Sequence, residues 1–187
     1  MNYCAQCGGP IVREVPVDDN RLRHVCSTCR TIHYQNPRVV AGCIAEWKGK
    51  ILLCRRAIEP RSGRWTLPAG FMELGETTAE AAVRETLEEA NARVGEPELY
   101  TIMSLPHADQ VYMMYRAPLL DLNFSPGAES TRVELYGPGT VPWEELAFPT
   151  IHHTLTCYLQ DLAHGAFRLR AGDLVRDDAG FQFKIGK

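Results

Sequence analysis

The sequence contains no apolar run of the roughly 18 to 20 residues that a membrane-spanning helix requires. Neither sign of charge dominates, since 20 Lys and Arg stand against 23 Asp and Glu, and a net charge of −3 gives no basic field to attract nucleic acid. The first twenty residues contain two cysteines, a Gly-Gly-Pro turn and several charges, which is unlike a signal peptide. Internal repeats and low-complexity tracts are also lacking. We therefore expect a cytoplasmic protein that does not enter a membrane.

The chain has 187 residues, of which 45% are hydrophobic and 23% are charged, and these proportions are ordinary for a folded globular protein. This length predicts one domain, or one domain with a small module. Seven cysteines are present. Because disulfides are rare in a reducing compartment, we interpret the cysteines as metal ligands or as buried core residues.

Two Cys-x2-Cys pairs stand near the start of the chain. Eighteen residues separate the pairs, which are Cys4 with Cys7 and Cys26 with Cys29. Two such pairs supply the four thiolates that a tetrahedral Zn²⁺ prefers. Residues 1–34 are too few to build a stable core without a metal. We predict a structural zinc ion there, with His33 as a neighbour of the site and not a ligand.

Two other interpretations of the cysteine pairs are a redox dithiol and four unrelated buried cysteines. The redox interpretation lacks the strand and helix that usually surround such a motif. The same segment carries four Lys or Arg and three Asp or Glu, so its charge is too balanced to predict a nucleic-acid partner.

The apolar patterning predicts an α/β domain after the cysteine segment. Two apolar runs that flank a Lys-Gly turn predict a hairpin of residues 38–47 and 50–56. Further strands are predicted over residues 98–105, 110–120 and 131–136. Helices are predicted over residues 77–91 and 149–164. The tail, residues 165–187, has a weak pattern that favours a hairpin.

The first predicted helix is rich in glutamate. Residues 70–98 contain eight glutamates and two arginines. Glu85, Glu88 and Glu89 lie three and four residues apart, where like charges cost about 0.2 to 0.5 kcal/mol per pair. Such a cluster favours binding of a divalent metal, and the alternative is a solvated acidic face. The residues expected to pack on the sheet from the other side of the helix are Ala79, Val83, Thr86, Leu87 and Ala90.

The segment from Gly70 to Ala92 resembles the Nudix box, G-x5-E-x7-R-E-U-x-E-E-x-G-U, in which U is a bulky aliphatic residue. Thr86 stands where an aliphatic residue is usual, and Asn91 stands where glycine is usual. Ala92 is smaller than the usual last residue. After Gly, Asn is the residue that best tolerates the left-handed backbone conformation at the end of a helix. Because no charged position changes, we expect these departures to affect helix packing and not catalysis.

The resemblance extends over roughly residues 3 to 164. Over this length the chain is similar to the zinc-ribbon branch of the Nudix hydrolases. The segments that carry it are the cysteine pairs followed by 34–37, then 52–56, 65–71 and 143–149. The chain most resembles FAD and ADP-ribose pyrophosphatases of bacteria and plant plastids. This resemblance implies a zinc ribbon over 1–34, a Nudix hydrolase domain over 37–164 with an α/β/α sandwich and a mixed sheet, and a homodimer.

The resemblance also implies a role for each residue of the box. A catalytic Mg²⁺ or Mn²⁺ is expected on the carbonyl of Gly70 and on Glu85, Glu88 and Glu89, and Glu88 alternatively activates water. Arg84 is expected to pair with Glu76 and to orient the helix. Glu129 is a candidate for the acid in a later loop that some pyrophosphatases use as a ligand or a base, and a surface carboxylate is the alternative.

Three residues are candidates for substrate binding. Arg55 and Arg56 end a strand near the box and are suited to clamping phosphates. Because strand residues alternate between faces, at most one of them is expected to point into the site. Trp65 has the ring to stack on a base, and a place in the core is its alternative.

The expected reactions are hydrolysis of FAD to FMN and AMP and of ADP-ribose to AMP and ribose 5-phosphate. Pro106 lies roughly where ADP-ribose-type members carry a proline, and residues 104–109 lack the array that marks NADH-type members. An NADH pyrophosphatase and a nucleoside triphosphate pyrophosphohydrolase are the alternative enzymes. A nucleotide-sensing regulator that binds nucleic acid is the alternative of another class, and the intact glutamate cluster argues against it.

Overall fold

The computed structural model describes residues 1–177 and 180–186. They divide into two compact units, Met1–Pro37 and Arg38–Lys187. The first unit is a three-stranded antiparallel sheet in the order β1-β2-β3. Its strands are β1 (Ile11–Glu14), β2 (Arg23–Cys26) and β3 (Ile32–His33).

The second unit is built on one mixed sheet, which has nine strands in the part of the chain that the structure describes. These are β4 (Arg38–Trp47), β5 (Lys50–Arg56), β6 (Trp65–Thr66), β7 (Ala69–Phe71), β8 (Glu98–Leu105), β9 (Gln110–Pro118), β10 (Ser130–Tyr136), β11 (Arg170–Asp177) and β12 (Gly180–Ile185). The main path is β10-β5-β4-β9-β8-β11-β12, while β6 pairs with β5 and β7 pairs with β4. The pairs β4 with β9 and β8 with β11 are parallel, and the others are antiparallel.

Two helices complete this unit, α1 (Thr78–Ala90) and α2 (Pro149–His164). Helix α1 starts with a capping box, in which the backbone N–H of Thr77 donates to the carboxylate of Glu80 at 2.7 Å and the Thr77 hydroxyl accepts from the backbone N–H of Glu80. It ends at Asn91, which has the left-handed backbone expected there (φ 46°). Helix α2 ends at Gly165, also with a left-handed backbone. Neither helix has the length and apolar composition needed to span a membrane, as holds for every helix in the described residues.

The helices cover opposite faces of the sheet. Neighbouring residues of β4 show this, since Cys43 packs in the cluster that contains Ala82 of α1, whereas Ile44 packs in the cluster that contains Ile151 and Leu155 of α2. This alternation follows from the two-residue period of a strand. The α/β/α sandwich with a mixed sheet is thereby confirmed.

The face that α1 turns toward the sheet agrees with the prediction at Ala79, Val83, Thr86 and Ala90, and it differs at Leu87 and at two glutamates. Ala81 and Ala82 are fully buried, whereas Leu87, which was expected to pack on the sheet, is 49% exposed. Glu85 and Glu89 are buried as well, at 9% and 6% exposure. Spacing therefore identified most of the residues that meet the sheet, but it did not show that the buried face extends to Glu85 and Glu89 and leaves out Leu87. The two glutamates therefore point inward, where a charged group needs a partner.

The C-terminal hairpin of β11 and β12 is held to the sheet by a buried ion pair. The guanidinium of Arg170 donates to both carboxylate oxygens of Asp161 on α2, one of them at 2.5 Å. The hydroxyl of Tyr100 on β8 also donates to Asp161, at 2.8 Å. The Arg170 guanidinium lowers the pKa of Asp161 from 3.8 to about 2. This network links the end of α2, the sheet and the start of the hairpin.

The substitution Asp161→Asn should lower the free energy of unfolding of this unit by about 3 kcal/mol at pH 7, because it leaves Arg170 without its counter-charge. Since the folded pKa of Asp161 is depressed, its stabilisation is full above pH 3.8 and is lost as the pH falls toward 2. Urea unfolding followed by tryptophan fluorescence measures this, because all three tryptophans lie in the second unit. Asp173→Asn, at an exposed position of β11, is the control. Equal stability of both variants at pH 7 would refute the role of Asp161.

Candidate active site and metal centres

The four paired cysteines meet at one point of the first unit. Their sulfur atoms all lie within 4.8 Å of one another. Three of the Sγ–Sγ distances are 3.3 Å (Cys7 to Cys29), 3.5 Å (Cys7 to Cys26) and 3.7 Å (Cys4 to Cys29). A tetrahedral zinc with Zn–S bonds of about 2.3 Å would place its sulfurs about 3.8 Å apart. The cluster therefore fits a Zn²⁺ ion with four protein ligands, which leaves no open position for catalysis.

Backbone hydrogen bonds around the cysteine cluster favour the thiolate form that a metal requires, although at Cys7 the bond from Gly9 is outweighed by contacts with Cys29 and Cys26, which raise its pKa to about 12. The backbone N–H of Gln6 points to the Sγ of Cys4, and that of Gly9 points to the Sγ of Cys7, both at 3.4 Å. Hydrogen bonding from Thr31 lowers the pKa of Cys29 to about 6. The Nε2 atom of His33 lies 3.2 Å from the Sγ of Cys4. The histidine thus lies beside the four sulfurs, where it contacts a ligand atom.

The second candidate metal site lies between α1 and β7. Strand β7 places Gly70 opposite Ala41 of β4, and the carboxylate of Glu85 fills the space beside the Gly70 Cα. A Cβ at residue 70 would lie 2.3 Å from Oε1 of Glu85, so a side chain there would displace the carboxylate. The first glycine of the box is therefore required for the close approach of the helix carboxylate to this strand.

Glu89 lies one turn further along α1, and its Oε2 atom is buried without a hydrogen-bond partner among the described residues. Burial, together with the charge of Glu85, raises the pKa of Glu89 to about 8. Burial also raises the pKa of Glu85, although Arg84 opposes that shift. A buried, unpaired carboxylate oxygen beside a second buried carboxylate is costly unless a cation neutralises the pair. The donors are hard oxygens, and they fit Mg²⁺ or Mn²⁺.

Arg84 holds the acidic residues of α1 in place. Its guanidinium donates to Glu76 at 2.8 and 2.9 Å, to Glu85 at 2.8 Å and to Glu88 at 3.0 Å. It also donates to the carbonyl of Phe71 at 3.1 Å, which ties α1 to β7. The pKa of Glu76 falls to about 2 because of its bonds with Arg84. Because its guanidinium N–H groups bond to Glu76, Glu85 and Glu88, Arg84 orients these three side chains.

The loop that precedes β10 is fastened to the C-terminal end of α1. The backbone N–H of Gly127 donates to the carbonyl of Glu89 at 3.0 Å. A Cβ at residue 127 would lie 1.7 Å from the carbonyl oxygen of Glu88, so only glycine fits. Two residues later, Glu129 lines the same cavity as the helix glutamates. Its charge adds to the burial that raises the pKa of Glu85 and of Glu89.

Asn91, the residue at the glycine position of the box, makes a contact that glycine could not make. Its side-chain Nδ2 donates to the carbonyls of Ser125 and Pro126, at 3.2 and 3.1 Å, and lies 3.2 Å from the Ser125 hydroxyl. The asparagine therefore ends the helix and also anchors the loop that leads to Glu129.

Asn91→Ala should lower the free energy of unfolding by about 1 to 2 kcal/mol, because alanine resists the left-handed conformation and lacks the amide. Asn91→Gly should lower the free energy of unfolding by less, because glycine adopts the left-handed conformation freely. The difference in free energy between the alanine and glycine variants measures the contribution of the backbone conformation. Urea unfolding of both variants measures it, with Asn123→Gly in the same loop as the control. If alanine were no worse than glycine, the left-handed helix end would not matter to stability.

A cavity of about 1070 Å³ opens beside these glutamates. It is lined by the residues of both the candidate metal site and the C-terminal hairpin, among them Gly70, Glu85, Glu88, Glu89, Glu129, Arg56, Tyr112, Leu174 and Phe181. Arg56 lies close enough for its charge to lower the pKa of Glu89 in opposition to burial. Its Nε donates to the carbonyl of Pro60 at 2.9 Å, and its guanidinium lies over the ring of Phe148.

Two of the predicted substrate-binding residues, Arg55 and Trp65, lie outside the lining of this cavity. Arg55 faces the other way along β5, and its Nε donates to the carbonyl of Gly63 at 2.9 Å. Trp65 is 4% exposed and packs edge-on against Tyr136 in the core on the α2 side. The structure therefore places Arg56 but not Arg55 in this cavity, as the expectation that at most one of them points into the site requires, and it places Trp65 in the core, which was its alternative. Strand alternation explains Arg55, and burial of the indole explains Trp65.

Sequence reasoning missed the part of the cavity formed by the C-terminal hairpin. Leu174 and Phe181 line it, together with His107. A short apolar alternation around Phe181 and Phe183 was the available signal. It predicts a strand, but it does not predict that the strand reaches a cavity beside α1.

Comparisons with known proteins agree with this geometry. Residues 2–35 match the zinc-ribbon family described as Nudix N-terminal, and residues 35–162 match the NUDIX domain. A NUDIX hydrolase crystal structure from Nitrosomonas europaea is 54% identical, with a TM-score of 0.88, over 92% of this chain and 99% of that chain.

Two curated relatives carry more specific names. The chain is 38% identical to the NAD-capped RNA hydrolase NudC of Vibrio vulnificus over 50% of its own length, and the match spans 34% of that protein. It is 31% identical to an ADP-ribose pyrophosphatase of Methanocaldococcus jannaschii, over 62% of this chain and 69% of the relative. The NUDIX match covers most of the chain and contains both buried glutamates. The chain therefore belongs to the Nudix hydrolase family, with a zinc-ribbon unit ahead of the Nudix domain.

Proposed function

We propose that the protein is a divalent-metal-dependent pyrophosphatase acting on dinucleotide-type pyrophosphates. The expected reactions are FAD plus water to FMN and AMP, and ADP-ribose plus water to AMP and ribose 5-phosphate. The observation that carries the proposal is the buried, unpaired Oε2 of Glu89 next to the buried carboxylate of Glu85. This pair has the charge and burial of a cation site, and it opens into a cavity large enough for a nucleotide.

The residues suited to hold the catalytic Mg²⁺ or Mn²⁺ are Glu85, Glu88, Glu89 and the carbonyl of Gly70. When bound, such a metal neutralises pyrophosphate oxygens and lowers the pKa of a water. Glu88 is more exposed than the other two glutamates and is paired with Arg84, so it is able to reach either the metal or a nearby water. Arg84 keeps the carboxylates of Glu76, Glu85 and Glu88 in a fixed arrangement and is assigned an orienting role, not a role in substrate binding.

Two further residues of the cavity have proposed tasks. Glu129 carries an exposed carboxylate on the loop fastened to α1, and it is suited to take a proton from the attacking water. Arg56 carries a positive charge beside the acidic group, and it is suited to balance the charge of the substrate phosphates. Arg55, which points away from this cavity, has no such task.

The choice of substrate rests on two kinds of support. Pro106 starts a short 3-10 turn, Pro106–Ala108, whose residues His107 and Ala108 line the cavity. The Methanocaldococcus jannaschii relative is named an ADP-ribose pyrophosphatase. The proposal that FAD is a substrate rests on the sequence resemblance alone.

A second candidate function is hydrolysis of NADH or of NAD-capped RNA. The similarity to the Vibrio vulnificus NudC protein supports it. The near-neutral charge of the cysteine-containing unit, with four Lys or Arg against three Asp or Glu over residues 1–34, favours a small nucleotide over an RNA.

The test is a hydrolysis screen of FAD, ADP-ribose, NADH and nucleoside triphosphates, each with Mg²⁺ or Mn²⁺. We expect kcat/KM for FAD and ADP-ribose to exceed that for NADH, with FAD slightly ahead. If NADH or a triphosphate exceeded both by about tenfold, the proposed specificity would be wrong and the metal chemistry would stand. If none of these substrates were hydrolysed, the alternative would be a nucleotide-sensing regulator that binds nucleic acid. A gel shift with nucleic acid, in the presence and absence of nucleotide, would test it.

We also propose that the protein is a cytoplasmic homodimer, on the basis of the family resemblance. Light scattering of the purified protein measures the oligomeric state, and a monomer at micromolar concentration would contradict the proposal. Fractionation of cells that express the natural gene tests the location.

A further inference from the structure

We infer that the C-terminal hairpin of β11 and β12 forms the subsite for the planar nucleobase of the substrate, with Phe181 as the residue that recognises the ring. This inference deepens the proposed function. It concerns a part of the chain beyond residues 35–162, which are the residues that match the NUDIX domain.

The hairpin is an integral part of the sheet. Strand β11 pairs in parallel with β8, and Leu174 of β11 is 1% exposed. Leu174 packs with Met103 and Leu105 of β8 in a separate apolar cluster, and Phe181 packs against that cluster. The buried Asp161–Arg170 pair fixes the first residue of β11. A wall with this support is rigid enough to contribute to ligand selection.

Aromatic side chains face the cavity at this end. Phe181 lies with its ring centroid 5.2 Å from that of His107, at an interplanar angle of 48°. Both rings line the cavity, as does Tyr112 of β9. The guanidinium of Arg176 lies over the Phe181 ring, 5.8 Å from its centroid. Flat, apolar side chains of this kind suit a planar ring, because stacking uses the whole face of the base.

The two ends of the cavity have different chemistry. Glu85 and Glu89 lie by β7 and β4, where the lining is acidic. Strands β9 and β8 lie between β4 and β11, so β11 is three strand spacings, or roughly 14 Å, from β4. The lining at the hairpin end is apolar and aromatic, formed by Leu105, Ala108, Leu174 and Phe181 with His107 and Tyr112.

This arrangement predicts how a nucleotide lies in the cavity. Its phosphates belong at the acidic end with the metal, and its base belongs at the hairpin. A sugar phosphate without a base would leave the hairpin end unused. The adenine ring, which FAD, ADP-ribose and NADH share, is therefore the group that we assign to Phe181.

The test compares binding of AMP and of ribose 5-phosphate, which share a ribose phosphate and differ in the base. Calorimetric titration with Mg²⁺ present measures both without requiring turnover. Phe181→Ala should weaken AMP binding by about tenfold, the loss expected for one stacked base. Binding of ribose 5-phosphate should stay unchanged. Gln182→Ala, an exposed neighbour on the other face of β12, is the matched control.

Two further variants separate stacking from packing. Phe181→Leu keeps an apolar side chain without a ring, and it should weaken AMP binding as alanine does. Phe181→Trp keeps a ring, and it should retain AMP binding. Equal affinity of the alanine variant and the unaltered protein for AMP would overturn the inference. Equal weakening of both ligands would also overturn it, because the loss would then not concern the base.

The outcome is separable from that of the proposed function. If AMP binding depends on Phe181 but no pyrophosphate is hydrolysed, the subsite stands and the activity is wrong. If FAD and ADP-ribose are hydrolysed but AMP binding ignores Phe181, the activity stands and the hairpin is not the base subsite.

Discussion

Replacing Glu89 with glutamine should lower kcat by at least about a hundredfold, and the same is expected for Glu85→Gln. Each change removes one carboxylate of the buried pair that the proposed metal site requires, and loss of one electrostatic group of this kind typically costs about 100- to 1000-fold in rate. Initial rates with ADP-ribose at saturating Mg²⁺ measure the effect. A near-normal rate for either variant would exclude that residue as a catalytic ligand.

The fold should survive these two substitutions. Burial raises the pKa of Glu89 to about 8, so a neutral amide of similar shape suits the metal-free site at least as well as a carboxylate. The melting temperature of the metal-free protein should therefore hold or rise. Glu96→Gln, the same change at an exposed loop position, should alter neither rate nor stability. A variant that lost both activity and its melting transition would point to a folding defect.

The second large effect is expected in the cysteine-containing unit. The purified protein should hold one zinc ion per chain, and Cys26→Ser should abolish its binding and unfold this unit. Among residues 1–37, all of which the structure describes, the buried side chains are Cys4, Pro16, Val25 and Cys26. So small a core cannot offset the conformational entropy of the segment, and metal binding supplies most of its folding free energy.

Metal analysis and thiol titration measure this second effect. Cys157→Ala, a cysteine of α2 that lies outside the cluster, should keep the full zinc content and serves as the control. The Nudix unit of the Cys26→Ser variant should keep its own melting transition, because its core contains none of these four residues. Purified protein without zinc, with all four thiols freely reactive, would refute the prediction.

Local signals in the sequence predicted the elements that carry the site. The bounds of α1 follow from the capping box at Thr77 and from the tolerance of Asn91 for a left-handed backbone, and both depend on neighbouring residues only. The hairpin of β4 and β5 follows from two apolar runs and a tight turn. The cysteine spacing likewise predicted a cluster of four sulfurs.

Orientation within the fold could not be predicted in this way. Periodicity put Glu85 and Glu89 on one face of α1, but their burial depends on Gly70, which β4 brings to the helix through tertiary pairing. Trp65 belongs to a two-residue strand, which is too short for its pattern to show which face is buried. The amide contacts of Asn91 reach Ser125 and Pro126, and no local rule connects such distant positions.

The parallel pairing of β4 with β9 has a consequence for the kinetics of folding. It joins Arg38 to Gln110 and Glu46 to Pro118, so the central strands meet only after a long intervening segment, which includes α1, has been closed into a loop. High contact order of this kind slows folding to the millisecond-to-second range. Strand β7, which carries Gly70, pairs with β4, so its final position depends on the assembly of this central sheet. Enzymatic activity should therefore return with the slowest refolding phase, and partly folded chains should be inactive.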